Sequence, residues 1–245
     1  MLLGLAPWGI LHAQTDEIQV YDAEIVAPGH FNLTLHNNFT PDGRRTADFA
    51  AGAAPNHMLN GVPEWAYGVA PWMEAGLYLP LYSYTAAGNL VFNGFKLRAL
   101  LVAPDAAHRR FFYGVNFEFS YNATHWDPNR YTQEIRAIVG WHLGPFDIVV
   151  NPILDNSYKG ISELDFAPAT RIAYNINEIW AVATEEYDDF GALRRFYPTG
   201  KQPHQLFWVV DYKGPKTSIE GGIGIGLTGA ADKAVLKLIL SRDLN

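Results

Sequence analysis

The stretch FFYGVNFEFSY, from Phe111 to Tyr121, alternates apolar and polar side chains with almost no exception. Side chains of a β-strand point alternately to its two faces, so this pattern predicts a strand with one apolar and one polar face. Phe117 and Phe119 fall on the apolar face, and Glu118 falls on the polar face. A soluble barrel turns the apolar face inward, whereas a membrane barrel turns it toward lipid. The fold therefore depends on which face meets solvent.

Similar segments recur along the whole chain and predict an all-β fold of about twelve strands. Most of them are long, and strands of roughly 10 to 13 residues tilted near 40° cross about 30 Å, the thickness of a bilayer core. Residues 40–60 are polar and rich in Gly, Ala and Asn, so they are predicted as a long loop. The predicted strands begin at Phe31 and continue at residues 63–70, 73–84, 90–102, 111–121, 131–143, 146–151, 165–176, 179–187, 204–212, 218–228 and 234–241.

Composition narrows the possible functions. Charged residues make up 18% of the 245 residues, below the roughly 25% of ordinary soluble domains. The net charge of −7 and only seven lysines argue against nucleic acid as a partner. The chain has no cysteine, which excludes a disulfide framework and a thiolate metal site. The histidines do not show the spacing of a zinc site, so neither a metal nor a cofactor is expected.

The chain contains no run of 18 apolar residues, so a closed barrel is the one structure with which it could span a bilayer. Residues 1–13, MLLGLAPWGILHA, resemble the core and cleavage site of a secretory signal, although they lack its basic start. We therefore expect a partial signal peptide at 1–13 and a single outer-membrane β-barrel domain at 14–245.

The polar faces of the predicted strands indicate which side is the inside. They combine glycines with charges of both signs in mid-strand, and such charges can pair across a narrow lumen. Aromatic residues on the apolar faces lie near strand ends, as in the interfacial girdles of membrane barrels. The predicted lumen-lining residues are Lys96, Arg98, Glu118, Glu134, Arg136 and Arg171, followed by Glu74 and Asp147. Trp72, Tyr78 and Tyr82 are predicted to offer apolar solutes an aromatic path.

Two motifs that suggest other chemistry have better explanations in a barrel. Gly224, Gly226 and Gly229 satisfy G-x-G-x-x-G, but the run continues an alternating strand and lacks the βαβ unit of a dinucleotide site. His204, Ser218 and Ser241 are conceivable parts of an outer-membrane hydrolase. No carboxylate in the sequence pattern is set to orient the histidine, so we expect no enzyme.

With the strands laid out, the chain resembles the bacterial outer-membrane channel family known as the MetA pathway of phenol degradation family. The resemblance implies a twelve-stranded barrel that passes small, often hydrophobic or bulky molecules by passive diffusion. Family members lie near genes for aromatic-compound catabolism, which implies aromatic or other apolar solutes. The matching stretches, in order, are EIQVYDAEIVAPGHFNLTLHNN (from Glu17), EWAYGVAPWMEAGLYLP (from Glu64), FFYGVNFEFSYN (from Phe111), EIRAIVGWHLGPFDIVVNPILD (from Glu134), HQLFWVVDY (from His204) and GIGIGLTGAADKAVLKLIL (from Gly222).

The leading hypothesis is a monomeric channel in the bacterial outer membrane, whose partners are membrane lipids and small apolar or aromatic solutes. Two alternatives stay open at this point. The chain could be an outer-membrane enzyme that modifies lipid or lipopolysaccharide, or a soluble periplasmic barrel that binds a ligand.

Overall fold

The computed structural model describes residues 17–245, so the signal-like residues 1–13 lie outside the described residues. No helix within this range is long and apolar enough to cross a membrane. Short 3₁₀ turns occur at Ala106–His108, Ile161–Glu163 and Thr199–Lys201. The strand segments are β1 (Phe31–Asp42), β2 (Met58–Ala70), β3 (Met73–Tyr84), β4 (Leu90–Val102), β5 (Phe111–Asn122), β6 (Tyr131–Leu143), β7 (Phe146–Asn151), β8 (Ile153–Asn156), β9 (Asp165–Phe166), β10 (Ala169–Asn175), β11 (Trp180–Asp188), β12 (His204–Lys213), β13 (Thr217–Gly226) and β14 (Ala234–Asp243).

These segments form one closed antiparallel barrel. β14 pairs with β1 from Asn32 opposite Asp243 to Phe39 opposite Leu236, and this pairing closes the sheet. β7 and β8 are one barrel strand interrupted at Pro152, because proline cannot donate to the ladder. β9 and β10 are likewise one strand, interrupted at residues 167–168. The segments in the described part of the chain thus make twelve barrel strands, which confirms the predicted fold.

The apolar face of each strand points outward. In β5, Phe111, Tyr113 and Phe117 are 46%, 52% and 36% exposed, whereas Phe112 and Glu118 are buried inside. An exposed apolar surface of this kind suits lipid, not water. Exposed or half-buried aromatic side chains also pair across neighbouring strands near one end of the barrel, as a girdle would require. These pairs are Phe31–Tyr67, Phe111–Trp141, Phe146–Tyr174 and Trp180–Tyr212.

β3 departs from strict alternation. The ladder shifts register between Tyr78 and Leu81, as in a β-bulge, and Pro80 lies within the shift. Leu81, expected on the apolar face, is therefore fully buried inside together with Ser83. Tyr82 lies on the opposite face, where its hydroxyl donates to Asn37 Oδ1 at 3.0 Å. The bulge thus reverses the faces that strict alternation predicts for Leu81 and Tyr82.

The predicted loop at residues 40–60 is shorter than expected. β1 continues to Asp42 and β2 begins at Met58, because His57 and Thr40 already bond across the hairpin through their main chains at 2.8 Å. The sequence at these two strand ends is polar and rich in Asn, so it resembles a loop. A strand residue that faces the lumen needs no apolar side chain, and the strand ends were therefore not predicted. The loop therefore covers residues 43–57.

Glycines on the lumen face make room for large rings, and one comparison tests this. A Cβ built at Gly224 would lie 2.4 Å from the ring of Phe207, which is fully buried. Gly221, on the same strand, has no heavy atom within 4 Å of such a Cβ. We expect Gly224→Ala to lower the unfolding free energy by about 1–3 kcal/mol through overpacking, and Gly221→Ala to change it by less than about 0.5 kcal/mol. Urea unfolding in detergent micelles measures both, and equal shifts would contradict the packing argument.

Candidate functional site: the barrel lumen

The lumen runs between two unlike ends of the barrel. One end, the long-loop end, carries the connections 43–57, 85–89, 123–130, 157–164, 189–203 and 227–233. The other, the short-turn end, carries 71–72, 103–110, 144–145, 176–179 and 214–216, together with the C-terminus. Apart from 103–110, the connections at the short-turn end have two to four residues, and an asymmetry of this kind is typical of outer-membrane barrels.

One network of charges lines the wall formed by β1 to β4. Arg98 Nη2 lies 2.6 Å from Glu64 Oε1 and also contacts Glu74. His36 Nε2 lies 3.0 Å from the other oxygen of Glu64. All four side chains are nearly fully buried, and a buried charge is tolerated only when partners surround it. The Arg98 guanidinium between the two carboxylates therefore compensates the charge of Glu64 and Glu74 inside the barrel.

The same wall continues onto β5 and β6. Lys96 Nζ lies 3.5 Å from Glu118 Oε2, and Asn116 donates to Glu118 Oε1 at 2.9 Å. Arg136 donates from Nε to Glu134 at 2.7 Å. Of the predicted lumen-lining residues, Lys96, Arg98, Glu74, Glu118, Glu134 and Arg136 are thus brought together on one side of the lumen.

A second network lies on the opposite wall, across β10 to β14. Arg171 contacts both Glu185 and Asp211. Lys237 contacts Glu185 and lies 2.5 Å from Glu220 Oε1. The side chains of Lys237 and Glu185 are fully buried, so each depends on the other for compensation of its charge. Arg171 is the member of this network that the sequence analysis selected.

The remaining predicted site residues are placed differently. Asp147 lies near the short-turn end, where it bonds His142 at 2.6 Å and Asn175 at 2.6 Å. Tyr78 is fully buried within the lumen. Trp72 is 49% exposed in the turn between β2 and β3, and Tyr82 lies on the outer face of β3. Of the expected aromatic path, only Tyr78 is among the buried residues of the lumen.

Residues 17–29, here called the lumen segment, run inside the barrel and were not anticipated as a lumen element. The segment leaves β1 at the short-turn end, where Gly29 N bonds Gly68 O at 2.8 Å. Its main chain is held mostly by side chains of the wall. Arg136 donates to Gln19 O at 2.8 Å, and Lys237 donates to Ile18 O at 3.3 Å. Both charge networks therefore also bind the lumen segment.

Tyr21 is the centre of this attachment. Asn151 accepts from the Tyr21 backbone N at 2.7 Å and donates to its carbonyl at 2.9 Å, so one amide satisfies both main-chain groups. The Tyr21 hydroxyl lies 2.6 Å from that of Tyr78 and donates to Glu118 at 3.3 Å. The Arg136 guanidinium lies 4.4 Å from the Tyr21 ring centre, within the range of a cation–π contact.

The segment also lies very close to β2. A Cβ built at Gly68 would lie 2.2 Å from the Ala27 carbonyl oxygen and 2.4 Å from that of Val26. These are backbone atoms, which cannot rotate away as a side chain would. Gly68 therefore permits the close approach of the lumen segment to the wall.

The segment covers apolar parts of the wall. One cluster unites Val20 and Tyr21 with wall residues that include Phe112, Ile138 and Val149. A second unites Ile18 with wall residues that include Phe207 and Val235. The lumen is therefore partly apolar beneath the segment, in addition to its paired charges.

An open cavity of about 1510 Å³ occupies the lumen toward the long-loop end. Glu17, Ile18 and Gln19 form part of its lining, together with wall residues such as Lys96 and Glu118. The cavity thus extends from the loops down to residues 17–19, and the following residues of the lumen segment occupy the lumen below it.

His204 does have a carboxylate partner, which the sequence pattern did not indicate. Its Nδ1 contacts Asp188, and its Nε2 lies 3.3 Å from Gln202 Oε1. Ser218 and Ser241 pair with each other at the far ends of β13 and β14, near the short turns, whereas His204 begins β12 at the long-loop end. The residues considered for a hydrolase therefore do not form one site.

No group of three His, Asp or Glu side chains among residues 17–245 is arranged to hold a metal ion. The buried carboxylates of the two networks instead have arginine or lysine partners. The two networks thus offer charge pairing and hydrogen bonding, and the apolar clusters of the wall offer apolar contact.

Comparisons with known proteins show similarity of fold. No family model matches the sequence, and no curated protein matches it. A COG4313 outer membrane channel from Pseudomonas putida F1 superposes with a TM-score of 0.62 at 14% identity, covering 93% of this chain and 100% of that one. The NanC porin superposes with a TM-score of 0.57 at 10% identity, covering 86% and 100%. The chain thus has the fold of outer-membrane barrels whose solved examples include channels and porins.

Proposed function

We propose that this protein is a monomeric outer-membrane channel for passive diffusion of small apolar or aromatic solutes. The observation that carries the proposal is a closed barrel with an apolar exterior and a charged lumen that opens into a cavity of about 1510 Å³. The fold of the similar channel and porin structures agrees with it. Because one chain closes the barrel, the lumen is complete without a partner subunit.

The long-loop end would face the cell exterior, and the short-turn end would face the periplasm, as in other outer-membrane barrels. The exposed aromatic pairs near the short turns would then lie at the inner lipid headgroups. Cell fractionation and heat-modifiable gel mobility test this location. Recovery of a folded barrel in the soluble fraction without detergent would instead support the periplasmic binding protein.

Two features of the lumen support apolar or aromatic solutes. Side chains such as Phe112, Ile138 and Val149 give the wall an apolar surface beneath the lumen segment. Arginines beside the Tyr21 ring show that the wall accommodates an aromatic ring in direct contact with cations.

Liposome swelling tests both the channel function and the preference for aromatic solutes. We expect an aryl glucoside to enter proteoliposomes faster than a disaccharide of similar mass, since neither crosses the lipid alone and the two differ in aromatic surface. Protein-free liposomes are the control. Absence of swelling with every solute, despite a folded barrel, would refute the channel. Equal or slower entry of the aryl glucoside would refute the preference for aromatic solutes.

A further inference from the structure

We infer that the lumen wall is a binding site for an extended peptide, and that residues 17–28 are its resident, dissociable ligand, which blocks the lumen when bound. The blocking role rests on the proposed channel function, whereas the binding site is a separate claim with its own test. The site has three parts. The Asn151 amide binds the peptide backbone, Tyr78 and Arg136 contact the phenol side chain, and the apolar cluster around Phe112 packs against the segment.

The contacts are those of peptide recognition. Asn151 binds the backbone N–H and carbonyl of the same residue, Tyr21, as a neighbouring main chain would. Arg136 and Lys237 bind two further carbonyls, and Glu74 accepts from Val26 N at 2.5 Å. These hydrogen bonds are made to backbone groups of the segment, so they do not depend on which side chains the segment carries.

The segment is held as a ligand, not as a barrel strand. Within the described residues its one β-bridge is that of Pro28 with Gly68, at the point where it leaves the wall. Higher in the lumen, Ala23 has φ of 67°, in the left-handed region that alanine seldom adopts. A strained turn held mainly by side-chain contacts can release without breaking the barrel ladder.

Glu17 in the lumen segment carries a buried carboxylate: the residue is 7% exposed, and among the described residues neither of its carboxylate oxygens has a hydrogen-bond partner. The charged groups around it are Glu118 on β5, Glu64 on β2, Arg136 on β6 and His36 on β1. Burial, followed by repulsion from Glu118, raises the pKa of Glu17 from 4.5 to about 7.

The sign of the pH effect follows from this shift. In the docked segment Glu17 is a stronger proton acceptor than in the released one, so docking is strongest below about pH 4.5 and weakens as pH rises through 7. The shift corresponds to a loss in docking equilibrium on the order of 100-fold. Glu17→Gln is expected to remove this pH dependence.

Cysteine labelling of the full chain tests the proposal, because the chain has no cysteine of its own. Ile18→Cys and Met58→Cys place single thiols at positions that are 6% and 1% exposed. The first lies on the segment and the second lies on β2. The probe is a membrane-impermeant maleimide, applied to folded protein in detergent at pH 5 and pH 8.

We expect Tyr21→Ala to accelerate labelling of Ile18→Cys at least about tenfold and to leave Met58→Cys unchanged. The labelling rate of Ile18→Cys, divided at each pH by the rate for the same protein unfolded, should also be higher at pH 8 than at pH 5; the division is needed because the maleimide reacts with the thiolate, whose fraction rises with pH. The synthetic peptide Glu17–Pro28, added to the Ile18→Cys, Tyr21→Ala protein, should reduce planar-bilayer conductance, whereas the same peptide with Tyr21→Ala should not.

Unchanged labelling of Ile18→Cys after Tyr21→Ala, with complete labelling after unfolding, would overturn the inference. Faster labelling without any conductance would retain the binding site and refute the channel.

Discussion

Lys237→Ala is expected to destabilise the barrel by about 3–5 kcal/mol, the range observed when one partner of a buried ion pair is removed. The side chain of Lys237 is fully buried and contacts Glu185 and Glu220. Without it, Arg171 alone would compensate these two carboxylates and that of Asp211. Excess negative charge would then remain in a poorly hydrated part of the lumen. Urea unfolding in micelles, followed by gel mobility of the folded form, measures the effect.

The matched control is Lys233→Ala. Lys233 lies on the connection before β14, pairs with Asp42 at 3.4 Å and has a side chain that is 77% exposed. Exposed pairs contribute little, so we expect a change of less than about 1 kcal/mol. Similar losses for the two variants would show that burial of the Lys237 network does not determine its importance.

Gly68→Ala is expected to produce the largest change in conductance, an increase of several fold. The new Cβ would lie 2.2 Å from the Ala27 carbonyl oxygen, so the base of the lumen segment would have to move away from β2. Displacement at the base weakens the bonds higher in the lumen, including that of Val26 to Glu74. Single-channel recording measures the result directly.

Gly221→Ala is the control, because a Cβ there meets no atom within 4 Å. It should leave conductance unchanged. If Gly68→Ala folds into the barrel and conducts no better than Gly221→Ala, the lumen segment does not limit passage.

Much of the barrel was predictable because strand alternation is a local property. The β5 stretch gave the correct inner and outer faces for Phe117 and Glu118 once length and glycine content were considered. β3 was harder, since a single bulge near Pro80 exchanges the faces of Leu81 and Tyr82. A prediction from alternation assumes that each residue lies on the opposite face from the one before it, so it fails where a bulge inserts an extra residue. Strand ends near residues 42 and 58 were missed because polar lumen sequence resembles loop sequence.

The candidate site was predictable only in part. Lys96, Arg98 and Glu118 stood out as charges in mid-strand, and a wider use of that signal would also have selected Glu64, Glu185 and Lys237. The pairing of these groups depends on which strands meet across the lumen, which alternation does not encode. The lumen segment has no periodic pattern of its own. Tyr21 and Asn151 are 130 positions apart and meet only in the folded barrel.

Single-channel recording of the unaltered full chain in a planar bilayer tests the central claim most directly. We predict discrete conductance steps from a heat-modifiable barrel, with a low-conductance state favoured at pH 5 and a high-conductance state favoured at pH 8. The two states correspond to the docked and released lumen segment. A folded, inserted barrel that shows no conductance at either pH would contradict the account.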